Sequence, residues 1–404
     1  MIKAYINLHQ ILTLKGAHQK DGRLLGLEDL SLIEDGAIVF DDQEILWVGK
    51  SSDLPSQYKA HAINLAGHVL TPELVDSHTH IVFGGDRAQE YADRLNGTPY
   101  EEIAKRGGGI LFTMKETQRA SAEDLFQLAR TRIEQVHRYG IGTIEIKSGY
   151  GLSYEKEKEL SLIIDRLKKH FAPNVQIFNT YLAAHDVPKT HQSSSHYLQD
   201  VVLPLLKDLA ASKVIDAVDI FHEKNYFTDE DTKLLFTTAK TLGIARKIHA
   251  DELHTNSGAE IACDFEALSA DHLLKISDTG IAKLAQSKTV ATLLPGTAFF
   301  LGKPLAPSRK LLDAGAKVAI ASDYNPGSCH CDNVLMVASI SAAQLKLKQV
   351  ELWTAITLNA AHALGKFKQG ALIEGMQPRF SLFKAPTLSH VTYHWGKNLA
   401  VTLP

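Results

Sequence analysis

Apolar positions along this chain fall into short strand-length runs, and the segments between them carry most of the charge. Near the start, Ala37-Ile38-Val39-Phe40 and Glu44-Ile45-Leu46-Trp47-Val48 flank Asp41-Asp42, the pattern of a β-hairpin. Residues 1–66 are therefore expected to form part of a small β unit. From Gly67 the texture changes, and apolar runs alternate with segments of helical spacing. Eight such runs can be read, at 69–76, 141–147, 175–183, 217–221, 244–248, 267–270, 289–294 and 317–321. Residues 155–169, 229–242 and 258–264 lie between them and are rich in helix formers. Strands alternating with helices predict an α/β protein with a parallel sheet, and eight of them predict a TIM-type (β/α)8 barrel over 67–369. After it, Gly370-Ala371-Leu372-Ile373-Glu374-Gly375-Met376 and Phe380-Ser381-Leu382-Phe383 read as short strands. Residues 370–404 would then return to 1–66, so that both chain ends build one small β domain around the inserted barrel.

In a (β/α)8 barrel the chemistry sits at the C-terminal ends of the strands. The first run leads into His78 and His80, the second into Ser148-Gly149-Tyr150, the third into His185, and the fourth into His222 and Glu223. The fifth ends in His249, Asp251 and Glu252, the sixth in Asp271-His272, the seventh in Pro295-Gly296-Thr297, and the eighth in Ser322-Asp323-Tyr324-Asn325. Ligand-type residues thus crowd one end of the expected barrel. Residues 81–139 are more than one crossover helix requires and contain Gly107-Gly108-Gly109, which suits a lid better than a phosphate cradle.

Composition narrows the partners. A net charge of -3 with interspersed signs leaves no electrostatic footprint for nucleic acid or an anionic membrane, so a small-molecule partner is expected. No run reaches the ~20 apolar residues of a membrane span, and three cysteines are too few and uneven for a disulfide framework. A cytoplasmic location follows as the expectation.

His78 and His80 are two apart at a strand end, so both side chains face one way and can reach one ion. Imidazole nitrogens suit zinc and iron, and a strand-end carboxylate such as Asp323 can complete the site while leaving a position open for water. A His-x-His pair alone is weak evidence among 19 histidines; the later strand-end His and Asp residues are what strengthen it. Two further clusters compete. His222 could join a second metal site, and Cys329-His330-Cys331 offers ligand atoms, although its spacing is tighter than ordinary zinc motifs.

The stretch from Thr71 to His80 resembles the first-strand signature of the amidohydrolase superfamily. His249 in Lys247-Ile248-His249-Ala250-Asp251-Glu252 is similar to that family's fifth-strand ligand, His272 to its sixth-strand histidine, and Asp323 to its eighth-strand aspartate. The resemblance implies a single zinc or iron ion held by His78, His80, His249 and Asp323. Some members bridge two metals with a carboxylated lysine, but Lys147 sits on the second run rather than the fourth, and a structural or hydrogen-bonding role is expected for it. More narrowly, Phe83-Gly84-Gly85-Asp86-Arg87, Glu145 to Leu152, and Ser322 to Ser328 resemble the branch that opens the lactam ring of 4-imidazolone-5-propanoate, a step of histidine breakdown.

That reading implies roles residue by residue. Asp323 would accept a proton from the attacking water, Glu252 would pass it to the departing nitrogen, and His272 would hold the developing oxyanion. The competing reading of Glu252 and His272 is that they only orient ligands from behind. Arg87 would clamp the substrate carboxylate rather than serve as a surface ion-pair residue. Tyr150, His185 and Glu252 would contact the substrate, with Asn325, Gly327 and Ser328 beside it. A homodimer is expected from the same resemblance. Deaminases of cyclic amidines share the ligand pattern, and Arg87 is the residue that separates the two readings, because a neutral base gives it no partner.

Overall fold

A computed structural model describes residues 1–98, 102 and 106–404. Strands β1 (Lys3–Leu12), β2 (Leu32–Phe40), β3 (Ile45–Lys50), β4 (Ala62–Asn64) and β5 (His68–Pro72) form one sheet with two strands from the other end of the chain. Eight further strands form the second sheet: β6 (Leu74–Asp76), β7 (Ile141–Lys147), β8 (Gln176–Ala184), β9 (Ala217–His222), β10 (Ala245–Ala250), β11 (Ser269–His272), β12 (Val290–Leu293) and β13 (Val318–Ile320). Their pairings are all parallel and sequential. The first sheet is completed by β14 (Phe380–Lys384) and β15 (Ala400–Val401), with β14 lying antiparallel between β5 and β15.

The barrel closes just beyond the strands themselves. Thr79 bridges Tyr324, the Asp323 amide donates to His78 O at 3.0 Å, and the His80 amide donates to Tyr324 O at 2.9 Å. Closure therefore runs through the two segments that carry His78, His80 and Asp323. Asp76 reinforces the seam, accepting hydrogen bonds from Ser322 N at 3.0 Å and Ser322 Oγ at 2.5 Å.

Two strand readings are corrected. The apolar run 69–76 is two strands in two sheets, because Pro72 has no amide to continue a ladder and Glu73 turns the chain. Glu73 is buried, and Arg379 grips its carboxylate through Nε at 2.6 Å and Nη2 at 2.7 Å, while Thr143 Oγ1 donates at 2.8 Å. A Cβ on Gly142 would stand 1.8 Å from Glu73 Oε1, so only glycine permits this junction of sheet and barrel. Residues 370–376 form turns rather than a strand, with glycines 370 and 375 at positive φ. Of the C-terminal stretches, only 380–384 pairs as the apolar alternation suggested.

The helices follow the expected positions, including Tyr154–Phe171, Asp229–Thr241 and Gly258–Asp264, the first two started by Ser153 and Thr228 side chains that accept from the N3 amide. Their apolar faces pack on the outward residues of the barrel strands, such as Ile144, Ile146, Ile248 and Ala270. Among the described residues no helix is long and apolar enough to cross a membrane, and all three cysteines are free. Residues 99–101 and 103–105 of the expected lid lie outside the described residues. Its glycine turn is described: Gly109 precedes the helix Ile110–Arg119, and its amide donates to Glu90 Oε2 at 2.9 Å.

Candidate active site

The barrel axis is charged. Along β7, Thr143, Glu145 and Lys147 alternate with the apolar Ile144 and Ile146, and the strands opposite contribute Asp219, Lys247 and Asp271. Glu145, Lys147, Asp219, Lys247 and Asp271 have no solvent exposure. Lys147 Nζ lies 2.6 Å from Asp219 Oδ2 and 3.0 Å from Glu145 Oε2; Lys247 Nζ donates to Glu145 Oε2 and Ser77 O, both at 2.8 Å. Both ammonium groups stand 3.7 Å from Asp271 Oδ2. Burial acts to depress the Lys147 pKa, but the surrounding carboxylates more than reverse it, so this lysine stays charged.

Two of these carboxylates reach upward to histidines. Asp271 Oδ2 is 2.7 Å from His78 Nδ1, and Asp219 Oδ2 is 3.0 Å from His249 Nδ1. A carboxylate on Nδ1 fixes the tautomer and aims the Nε2 lone pair away from it. The Nε2 atoms of His78 and His80 are 3.3 Å apart, and each is 3.6 Å from Asp323 Oδ1. Ligand atoms of His78, His80 and His249 all lie within 4.8 Å of one another. Two ligands at about 2.1 Å from a tetrahedral zinc stand about 3.4 Å apart, so the spacing suits one small ion.

The chemistry of the donors suits it as well. Burial holds the pKa of His78 and His80 well below the usual imidazole range, which keeps them in the neutral form that binds metal. For His249 burial acts in the same sense, but Asp219 outweighs it and raises the pKa. His249 Nε2 is buried without a hydrogen-bond partner among the described residues, an arrangement a bound cation would satisfy.

A second cluster, His78 with Glu145 and Asp271, also has ligand spacing. Its two carboxylates are already held by Lys147 and Lys247, and a second cation there would face both ammonium groups. His222 belongs elsewhere, its Nε2 2.9 Å from Asp229 Oδ1. The Cys329-His330-Cys331 stretch is loop: Cys329 O accepts from Asn325 N at 3.0 Å and His330 packs edge-on against Tyr324.

A cavity of about 550 Å³ opens on this cluster. His80, His249, Glu252, His272 and Asp323 line it together with Arg87, Tyr150, His185, Asn325, Gly327 and Ser328. Glu252 Oε2 is 3.6 Å from His272 Nε2. The His185 ring stacks on His80 at 5.1 Å, with Tyr150 tilted 5.7 Å from it, and burial lowers the His185 pKa to about 3. His272 and Asp323 have φ of 78° and 54°, a left-handed backbone that non-glycine residues adopt at a cost and that turns both side chains at their strand ends.

Asn325 organises the loop beside Asp323. Its Oδ1 accepts from the amides of Gly327 and Ser328 at 2.8 Å each, and its Nδ2 donates to Asp323 O at 2.7 Å. Gly327 lets the Arg87 guanidinium lie close to its backbone, since a Cβ would fall 1.7 Å from Arg87 Nη1 and displace it. Arg87 is thus both a cavity residue and an ion-pair residue, held by Glu90.

Sequence reasoning assigned no role to several participants, some of which it named only by position. Thr297 Oγ1 donates to Asp323 Oδ2 at 2.5 Å and so fixes the carboxylate. Asp219, Asp271 and Lys247 form the layer beneath the histidines, and Arg94, Phe221, Tyr226 and Lys303 line the cavity. A charged residue at every second place in an apolar strand was the available signal for the buried layer.

Fold and site together define an enzyme of the metal-assisted hydrolase class built on a (β/α)8 barrel. Residues 69–402 match the sequence pattern of the amidohydrolase family. An imidazolonepropionase of Bacillus cytotoxicus is 40% identical over 395 residues, 96% of this chain and 92% of that protein, and one of Bacillus cereus is 40% identical over 396 residues, 97% and 92%. The chain belongs to the amidohydrolase family and, within it, to the imidazolonepropionases. Among solved structures, atrazine chlorohydrolase of Arthrobacter aurescens complexed with zinc superposes with a TM-score of 0.73 at 15% identity, over 98% of this chain and 92% of that one. An adenosine deaminase of Xanthomonas campestris with bound zinc gives 0.70 at 15%, over 99% and 90%. At that identity the likeness concerns the fold.

Proposed function

We propose that the chain hydrolyses the lactam ring of 4-imidazolone-5-propanoate to N-formimidoyl-L-glutamate, using one zinc or iron ion held by His78, His80, His249 and Asp323. The observation that carries this is one cavity lined by His80, His249, Asp323 and Arg87, with His78 grouped with the two histidines at ligand spacing. A divalent ion at such a site supplies Lewis acidity, easing deprotonation of water near neutral pH and polarising a carbonyl oxygen.

The protein's own residues do the rest. Asp323 presents Oδ1 to His78 and His80 and keeps Oδ2 on Thr297, so its carboxylate is positioned to take a proton from the attacking water. His272 and Glu252, 3.6 Å apart, are placed for the oxyanion and for delivery of the proton to the departing ring nitrogen. Water adds across the carbonyl carbon and that nitrogen, so the C–N bond breaks with no redox change. Arg87 receives the propanoate carboxylate, Tyr150 and His185 border the ring, and Asn325, Gly327 and Ser328 shape the adjoining wall.

Purified enzyme incubated with the imidazolone, cytosine and guanine should consume only the imidazolone, and a chelator should stop it. Elemental analysis should find close to one ion per chain. Imidazolone loss no faster than its spontaneous decay would overturn the proposal. Replacing Arg87 by Met should raise KM for the carboxylated substrate by roughly 10- to 100-fold, the range set by losing a charge-assisted contact, without lowering metal content. Unchanged kinetics in that variant would remove Arg87 from the substrate contact.

A further inference from the structure

Arg87 brings little net charge to the cavity. Its Nε donates to Glu90 Oε2 at 2.8 Å and its Nη2 donates to Glu90 Oε1, so one carboxylate already spans the fork. Glu90 is buried and also accepts from the Gly109 amide. Burial acts to raise the Glu90 pKa, but the Arg87 and Gly109 hydrogen bonds pull it below the usual range, so Glu90 is ionised. A substrate carboxylate approaching this pair meets a neutral unit and the repulsion of Glu90.

Arg94 stands one helical turn after Glu90 on the helix Ala88–Leu95 and lines the same cavity. Glu90 forms its ion pair with Arg87, and Arg94 acts on it only as a weaker, longer-range attraction. The Arg94 Nε is buried with no hydrogen-bond partner among the described residues, and Nη2 reaches a neutral acceptor, Gly327 O, at 3.4 Å. Its guanidinium lies 4.9 Å from the centroid of the Phe300 ring, which stacks on Tyr91, so the group is held in place by aromatic faces and carries no carboxylate partner among the described residues. Lys303 also lines the cavity, but it is exposed, where solvent screens its charge.

We propose that Arg94 is a second carboxylate-binding and specificity-determining residue, supplying a positive charge at this end of the cavity that no ion pair among the described residues neutralises, while Glu90 positions the fork of Arg87. The inference rests on the carboxylated-substrate reading above. A carboxylate between the two guanidiniums would contact Arg87 through its remaining edge and Arg94 through its terminal guanidinium nitrogens, and the two guanidiniums and the two carboxylates, that of Glu90 and that of the substrate, would then sum to zero.

The test compares kcat and KM for the imidazolone propanoate and for its uncharged carboxamide analogue in the unmodified enzyme and in the variants R94Q, R94K and K303Q. R94Q should raise KM for the carboxylate by roughly 10- to 100-fold, as expected for a lost charge-assisted contact, with kcat little changed and the carboxamide unaffected. R94K, which keeps the charge, should recover much of that loss, and K303Q should change KM far less than R94Q. Equal losses on both substrates would make Arg94 a residue that only shapes the cavity and would overturn the inference, as would unchanged kinetics in R94Q. Absence of turnover of the imidazolone by the unmodified enzyme would instead overturn the functional reading, and the inference with it.

Discussion

Replacing Asp323 by Asn lowers kcat by roughly 10²- to 10⁴-fold while the barrel stays folded, the range associated with loss of a general acid or base. Asparagine preserves the size of the side chain, so the seam around residues 322–324 keeps its backbone hydrogen bonds to His78 and His80. What it removes is the negative charge beside the two histidine Nε2 atoms and the ability to accept a proton. Thr297, which donates to Oδ2, can still donate to the amide oxygen or be left facing an NH2 group, and neither restores the carboxylate. The measurement is kcat alongside metal content and thermal denaturation. A kcat within tenfold of the unmodified enzyme, with the ion retained, would exclude Asp323 from proton transfer.

Lys147→Met is expected to damage stability rather than one chemical step. The lysine neutralises Asp219 and Glu145 in a layer with no solvent exposure, and removing one partner of a buried ion pair costs roughly 3–5 kcal/mol because the other charge is left unpaired. Against a total stability of about 5–15 kcal/mol, the variant should unfold at much lower denaturant or accumulate poorly. Asp219→Asn isolates the functional half of the same contact. It leaves a hydrogen-bonding group near Lys147 but weakens the hold on His249 Nδ1, and should lower metal affinity roughly 10- to 100-fold, the usual consequence of losing an outer partner of a ligating histidine. If Lys147→Met were as stable as the unmodified protein but had lost its metal, Lys147 would be a ligand and not a counter-ion.

Much of the barrel was legible because burial on both faces writes nearly continuous apolar runs into parallel strands, and because the charged helices between them have a different period. The strands at 141–147, 176–184, 217–222 and 245–250 lie where those runs predict. The run at 69–76 was misread since periodicity cannot say which sheet a residue joins; that depended on Pro72 and on a buried contact with Arg379, over three hundred residues away. Residues 370–376 failed for the opposite reason, as apolar residues between positive-φ glycines can be buried in turns as readily as in strands.

By itself the sequence determined which residue types stand at the strand ends: His78 and His80 two apart, His249, His272 and Asp323, and Arg87 just past the first strand. Side-chain period and chain order decide that much locally. Only the tertiary structure decided which of them share a centre, that Asp271 and Asp219 aim two of the histidines, and that Lys147 and Lys247 are counter-ions beneath them. It also set Arg87 against Glu90 and left Arg94 Nε without a hydrogen-bond partner among the described residues. The physical reason is that charge pairing and metal geometry act over a few ångströms in space, whereas the groups involved are separated along the chain by tens to hundreds of residues, and closure of the barrel is what brings those two distances together.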